Sequence, residues 1–258
     1  MANTTIVTML VDIGRESWTK YPRSYSEYLA NLSHLLGLDN NIVIFIEDAG
    51  IPFVEEKRKP FKDKTVICRI TKETLPVYKY LPRFTEIIHS ESFKKGQYNS
   101  DCPEMNNELY HLAVHNKVYL VDQVAKANPF NSNYFIWFDC GLGHSKVIYP
   151  KVFNPKGLIE NHFNEIAVIQ LQSINPHYAD MSFFFKSHLD VIGGGFFGGS
   201  KEAISRYALE YDRILNKAMD SGLIDDDQSI TLFVYFDNPD LFFLQRGTWY
   251  SALDFDCK

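Results

Sequence analysis

Asp139 is the residue of this chain whose surroundings say most about chemistry. It ends the apolar run Tyr134-Phe-Ile-Trp-Phe and precedes Cys140-Gly141. Such a run reads as a buried strand, so the aspartate stands at the carboxyl edge of a sheet, where open α/β folds bind ligands. A carboxylate there can hold a divalent cation that bridges a diphosphate leaving group, and Gly141 lets backbone approach a nucleotide closely. Capping of the next turn is the plainer role for the same side chain. Arg15, just past an N-terminal strand, can grip a phosphate with its planar fork or pair with Glu16 or Glu27, and Arg23 presents the same choice. Asp225-Asp226-Asp227-Gln228 places carboxylates at a helix start, where the helix dipole stabilises them as ordinary N-terminal acids.

Other patterns point to less. Gly193-x-Gly195-x-x-Gly198 has dinucleotide-fingerprint spacing but holds two Phe between its glycines and lacks an acidic residue on a following strand end. The glycines instead imply backbone packed against something bulky, or φ values that side chains forbid. Gly199-Ser200-Lys201 has hydroxyl and lysine in the wrong order for a phosphate loop. His111 and His115 stand one helical turn apart in HLAVH, without the glutamate of a zinc protease, and read as a partly exposed structural pair. Lys117, on the same helix, could point toward the Asp139 edge, although most helix lysines are solvated. Trp249 and Tyr250 read as core or C-terminal packing.

These residues need a scaffold, and the hydrophobic pattern supplies one. Strands are expected at Thr5–Leu10, Ile42–Ile46, Thr65–Ile70, Tyr134–Phe138, Ile166–Leu171, Met181–Phe185 and Leu241–Leu244. Helices are expected from Ser24 to about Leu36, from Pro103-Glu104 to about Ala127, over Pro155–Phe163, from Ser200 to a stop at Gly222, and over Asp227–Phe236. Alternating strands and helices followed by a more mixed second half imply a three-layer α/β protein.

Composition sets outer bounds. The 258 residues carry 26 basic and 32 acidic side chains, a net charge of −6 that argues against a nucleic-acid binder. Hydrophobic residues at 45% and aromatic residues at 15% exclude wholesale disorder. No run approaches a membrane span, and Met1 to Asp12 has no basic region ahead of its apolar stretch, so no secretory signal is expected. Cys68, Cys102, Cys140 and Cys257 are widely spaced without a CxxC pair, which implies reduced thiols and a cytoplasmic protein.

Several blocks together resemble a known family. They are Thr5-Ile-Val-Thr-Met-Leu-Val-Asp-Ile-Gly-Arg15-Glu-Ser-Trp18, Tyr21-Pro-Arg23-Ser24 with Tyr28-Leu, Phe-Ile-Trp-Phe-Asp139-Cys-Gly141, Gly194-Gly195-Phe-Phe-Gly198-Gly199-Ser, and Asp226-Asp227-Gln228. Their order and spacing, from about residue 4 to about residue 250, resemble the bacterial HtrL/YibB (WlaTC-like) family of proposed glycosyltransferases associated with lipopolysaccharide genes. The resemblance implies a GT-A-like three-layer α/β/α sandwich around a central mixed, mostly parallel sheet. It also implies one glycosyltransferase domain over 1–258, with a nucleotide-binding part to about 145 and an acceptor-side part from about 146.

The implied activity moves a sugar from a nucleotide-diphosphate sugar, with a UDP-sugar favoured, to a glycan or lipid-linked acceptor in polysaccharide biosynthesis. Thr8, Leu10 and Asp12 would line the base and ribose pocket. Arg15, Arg23, Asp139, Cys140 and Gly141 would meet the rest of the donor. Gly194, Gly195 and Trp249 would border the acceptor and sugar, and Asp226 or Asp227 would supply the catalytic carboxylate. The family implies Mn2+ or Mg2+ on a D-x-D motif, but Gly141 replaces the second aspartate, so Asp139 would act with donor phosphates alone or with His144 or His188. A non-catalytic nucleotide-sugar or glycan binder and a metal-dependent phosphohydrolase are the alternatives. The expected partners are the donor and acceptor, with no nucleic acid and no transmembrane segment, in the cytoplasm or in peripheral contact with its membrane face.

Overall fold

The computed structural model describes residues 3–96, 104–142, 149–187 and 189–256. Seven strands form one sheet in the order β3-β2-β1-β4-β6-β5-β7. They are β1 (Thr4–Leu10), β2 (Asn41–Ile46), β3 (Thr65–Arg69), β4 (Tyr134–Phe138), β5 (Ile166–Gln170), β6 (Ile192–Ser200) and β7 (Phe242–Arg246). β6 runs antiparallel to β4 and β5, and every other pairing is parallel. Parallel strands covered on both faces must be apolar throughout, which is why β1 and β4 are buried at every position.

Alternation along the strands sorts the core into two layers. Val7, Met9, Val43, Phe45, Phe135 and Trp137 face α3 (Leu81–His89), α5 (Glu108–Ala127), α8 (Lys201–Asp220) and α9 (Asp227–Asp237). Ile6, Leu10, Ile42, Ile44, Ile136 and Phe138 face α1 (Tyr25–Leu36), α2 (Ile51–Arg58) and α6 (Lys156–Asn161). Two short helices, α4 (Glu91–Lys95) and α7 (Met181–Phe184), complete the described helices of α type. No described helix is long and apolar enough to cross a membrane.

Local signals set most boundaries. Ser24 and Glu27 form a reciprocal capping box at α1, Ser200 accepts from Ala203 N at α8, and Gly222 takes a φ of +69° just beyond α8. Two expectations need correction. The long helix starts at Glu108, because Asn107 accepts from the amides of Leu109 and Tyr110; Glu104 lies ahead of it. Met181–Phe184 is a helical turn rather than a strand, because Asp180 accepts from the amides of Ser182 and Phe183.

None of the β6 glycines has positive φ, and Gly194, Gly198 and Gly199 answer to packing. A Cβ on Gly199 would lie 2.8 Å from Ile166 Cδ1 and 3.1 Å from the Glu165 carbonyl. α8 crosses β6 close to this point, with Ala203 facing the same glycine.

Candidate active site

The carboxyl ends of β1 and β4, the middle of α5 and the start of α9 converge on a cleft of about 720 Å³. Lys117 lies at its base. Its Nζ is 2.9 Å from Asp227 Oδ2, 3.0 and 3.2 Å from the two oxygens of Asp139, and 3.0 Å from the carbonyl of Gly194. An ammonium has three N–H bonds, and these three groups occupy all of them. The Lys117 and Asp227 side chains are 8% and 9% exposed, whereas Asp139 is 35% exposed. Burial alone would lower the lysine pKa, but Asp139 and Asp227 outweigh it and hold the ammonium above its ordinary value. For Asp227 burial is the largest influence; Lys117 opposes it, Asp226 and Asp139 add to it, and the carboxyl is pushed up to about 7.

Each carboxylate is positioned by its own element. At the end of β4, Trp137 Nε1 donates to Asp139 Oδ1 at 2.6 Å, and the Asp139 amide donates to the Gly195 carbonyl at 3.0 Å. At the start of α9, Asp226 is the cap: it accepts from Ser229 N at 3.0 Å and from Gln228 Nε2 at 2.9 Å. Asp225 accepts from Ser229 Oγ at 2.8 Å. Burial raises the pKa of both Asp225 and Asp226. Asp227, one residue further, is the member of the run that reaches Lys117. Gly194 makes this possible, because a Cβ there would lie 2.7 Å from Asp227 Oδ2.

The N-terminal edge of the cleft is built differently. Arg15 pairs with Glu104 at 2.5 Å, donates through Nε to the Tyr21 carbonyl at 3.2 Å and lies 5.0 Å from the Trp18 ring centroid. Neither Glu16 nor Glu27 is its partner: Glu27 is taken by the α1 cap. Asp12 accepts from Gly14 N at 2.8 Å, while its own amide donates to Glu47 Oε2 at 2.7 Å. A shallower groove of about 390 Å³ continues from Asp12 and Tyr25 across Glu47, Asp48 and Thr71.

Of the residues singled out in the sequence, Leu10, Asp12, Arg15, Arg23, Asp139, Cys140, Gly141, Gly194, Gly195, Asp226, Asp227 and Trp249 all line the main cleft. Thr8 does not: it is fully buried in β1, on the face shared by Ile6 and Leu10, away from the cleft lining. His111 and His115 are fully buried rather than partly exposed. Their rings stack 5.8 Å apart beneath the Asp225 backbone, and burial lowers His111 to about 4 and His115 also downward, so both are neutral supports. Burial and Asp139 push the Cys140 thiol up to about 12, which keeps it protonated. His144 and His188 lie outside the described residues.

Lys117, read from the sequence as a lysine that could point toward the Asp139 edge, does so; Glu104 and the Trp137 indole were not legible as contributors. For Lys117 a further signal existed. Tyr110, Val114, Lys117 and Val121 follow one another at three- or four-residue spacing on a helix whose other members there are apolar or aromatic, and a lone lysine in such a stripe is aimed inward.

The described residues do not fit a resident divalent ion. Gly141 offers no carboxylate, an ammonium already lies between Asp139 and Asp227, and no group of three or more His, Cys, Asp or Glu side chains is gathered suitably among the described residues.

The strand order, with β6 the antiparallel strand among the described residues, and the acidic cleft at the carboxyl edge belong to a GT-A-like α/β fold. Mouse xyloside xylosyltransferase 1 in its apo form shares it, with a TM-score of 0.50 at 12% identity over 95% of this chain and 84% of that one. The family model described as "Bacterial protein of unknown function (HtrL_YibB)" matches residues 2–257, and the chain belongs to that family. Protein HtrL of Escherichia coli (strain K12) is 26% identical over 270 residues, covering 97% of this chain and 91% of that protein.

Proposed function

We propose that this protein transfers a glycosyl group from a nucleoside diphosphate sugar, with a UDP-sugar favoured, to a hydroxyl of a glycan or lipid-linked acceptor. The observation that carries the reading is the meeting of Asp139 and Asp227 over Lys117 at the sheet edge. A strand-end carboxylate faces the donor side, and a buried helix-start carboxylate faces the space where an acceptor would enter. The GT-A-like fold, shared with a xylosyltransferase, supports the same class.

In this reading the base and ribose lie in the groove between Asp12, Glu47 and Tyr25, where carboxylates can accept from ribose hydroxyls. The diphosphate lies toward Arg15, Arg23 and the Gly141 turn, and the sugar reaches toward Gly194 and Gly195 beneath Trp249. Asp227 takes the proton of the acceptor hydroxyl as its oxygen bonds to the anomeric carbon. The bond from that carbon to the diphosphate breaks, and the diphosphate leaves with the electron pair. Such a reaction belongs to polysaccharide biosynthesis in the cytoplasm or at its membrane face.

A nucleotide-sugar panel by thermal shift, followed by product analysis with the stabilising donor, tests this, because a donor that binds only the folded chain raises its melting temperature. The expected result is stabilisation by one UDP-sugar and release of UDP with a new glycosidic bond when acceptor is added. Stabilisation without turnover would identify a binder instead. Sugar phosphate and nucleotide as products would identify a phosphohydrolase.

A further inference from the structure

The site described above contains a cation that belongs to the chain. Lys117 comes from the middle of α5, and Val114 and Val118 flank it on the same helix, 8% and 2% exposed. Its three N–H bonds are all directed at Asp139, Asp227 and the Gly194 carbonyl. Asp139 is further committed through Oδ1 to the Trp137 indole. A divalent ion bound to these same carboxylates, at the roughly 2.0–2.1 Å its ligands demand, would have to displace the ammonium or sit against it. Like charges that close in a partly buried cleft repel strongly.

We infer that Lys117 is the resident cation of this cleft, taking the position between Asp139 and Asp227 that a divalent metal would need, so that the protein binds a nucleoside diphosphate without manganese or magnesium. Its positive charge offsets one of the two carboxylate charges before substrate arrives, and Arg15 and Arg23, which line the same cleft, face the phosphate charge. The diphosphate part of the inference rests on the function proposed above. The exclusion of metal by the lysine does not.

The test separates the two. Manganese chloride is titrated into the intact protein and free Mn2+ is followed by electron paramagnetic resonance, alone and with UDP; UDP affinity is measured by calorimetry in EDTA and in manganese. The wild-type protein is expected to retain no manganese of its own and to bind UDP equally, within about twofold, in both buffers. Lys117→Ala bares both carboxylates and should gain a manganese site and a manganese-dependent UDP affinity. Lys117→Arg keeps the charge and should likewise retain no manganese. A wild-type manganese site that Asp139→Asn abolishes would overturn the inference, as would a tenfold or larger gain in UDP affinity on adding manganese. If wild type binds no UDP in either buffer, the nucleotide-sugar reading fails, while its manganese titration still decides the role of the lysine. If Lys117→Ala does not fold, wild type and Lys117→Arg carry the same decision.

Discussion

At the end of β4, Asp139 is about one-third exposed at 35% and accepts hydrogen bonds from the Trp137 indole and Lys117. At the start of α9, Asp227 is 9% exposed, receives the same lysine on one oxygen and lies near the charges of Asp226 and Asp139. The strand end therefore holds a fixed carboxylate beside an open cleft, and burial leaves the helix start with a carboxyl able to exchange a proton near neutrality. One ammonium joins them, so neither charge can change without being felt by the other. In the proposed reaction the first region positions and the second reacts.

The sharpest way to break this contrast is to neutralise each carboxylate in turn. Asp227→Asn should lower the transfer rate by about 10²–10⁴, the range of general acid–base catalysis, while calorimetry still finds UDP affinity near wild type. Asp139→Asn should lose both, since its side chain anchors the lysine beside the donor turn. Asp226→Asn is the control, because asparagine caps a helix about as well as aspartate, and it should keep folding and activity. Equal loss of UDP binding in the Asp139 and Asp227 variants would erase the distinction between the regions.

Gly194 sharpens the comparison from the third side of the knot. A Cβ there would meet Asp227 Oδ2 at 2.7 Å and Gln228 Cγ at 2.8 Å. Gly194→Ala should therefore shift the carboxylate and cost about 1–3 kcal/mol of stability, the usual range for an added methyl in a packed site. Transfer should fall by roughly tenfold or more, because a small displacement of a positioned group is expensive. Gly195→Ala meets nothing nearer than 3.6 Å and should be mild. Chemical denaturation and initial rates on the two variants compare them directly, and equal effects would remove the special place of Gly194.

What the chain declares by itself divides along similar lines. β1, β2 and β4 could be read because a parallel strand buried on both faces must be an apolar run, and α1 and α8 could be read because Ser24 and Ser200 cap them within a few residues. Met181–Phe184 could not, since an apolar run that short fits helix or strand and only the Asp180 hydrogen bonds decide. The glycines of β6 were visible, but their reasons were not: Gly194 answers to Asp227, and Gly199 to Ile166. The same limit applies in the site. Arg15 was visible as a charged group beside a strand end, yet its partner Glu104 is 89 residues away. Asp139 announced itself by ending a strand, and Lys117, 22 residues earlier on another element, could be aimed at that edge from the sequence but not told from a solvated helix lysine.

The smallest expected effect is the most diagnostic for Asp227, because it changes no atom of the protein. Its carboxyl is held at about 7 by burial, with Lys117 pulling downward and Asp226 and Asp139 pushing upward. As a base it must be ionised, so kcat/KM should be full above that value and fall as pH drops through it, approaching tenfold per pH unit on the acid side. The stability linked to this group has the opposite sense. Its folded pKa exceeds the unfolded one, so its contribution is complete below about 4 and is lost as pH rises through about 7. Activity and this share of stability thus move in opposite directions over the same window. A pH–rate profile together with denaturation at matched pH checks both, with Asp227→Asn removing the stability change as well as the activity. A kcat/KM profile flat from pH 5.5 to 8, as a rough working range around that value, would mean that another group takes the proton. Measuring kcat with UDP-sugar saturating then shows whether donor binding moves the Asp227 limb, since kcat reports the bound complex and kcat/KM the free protein.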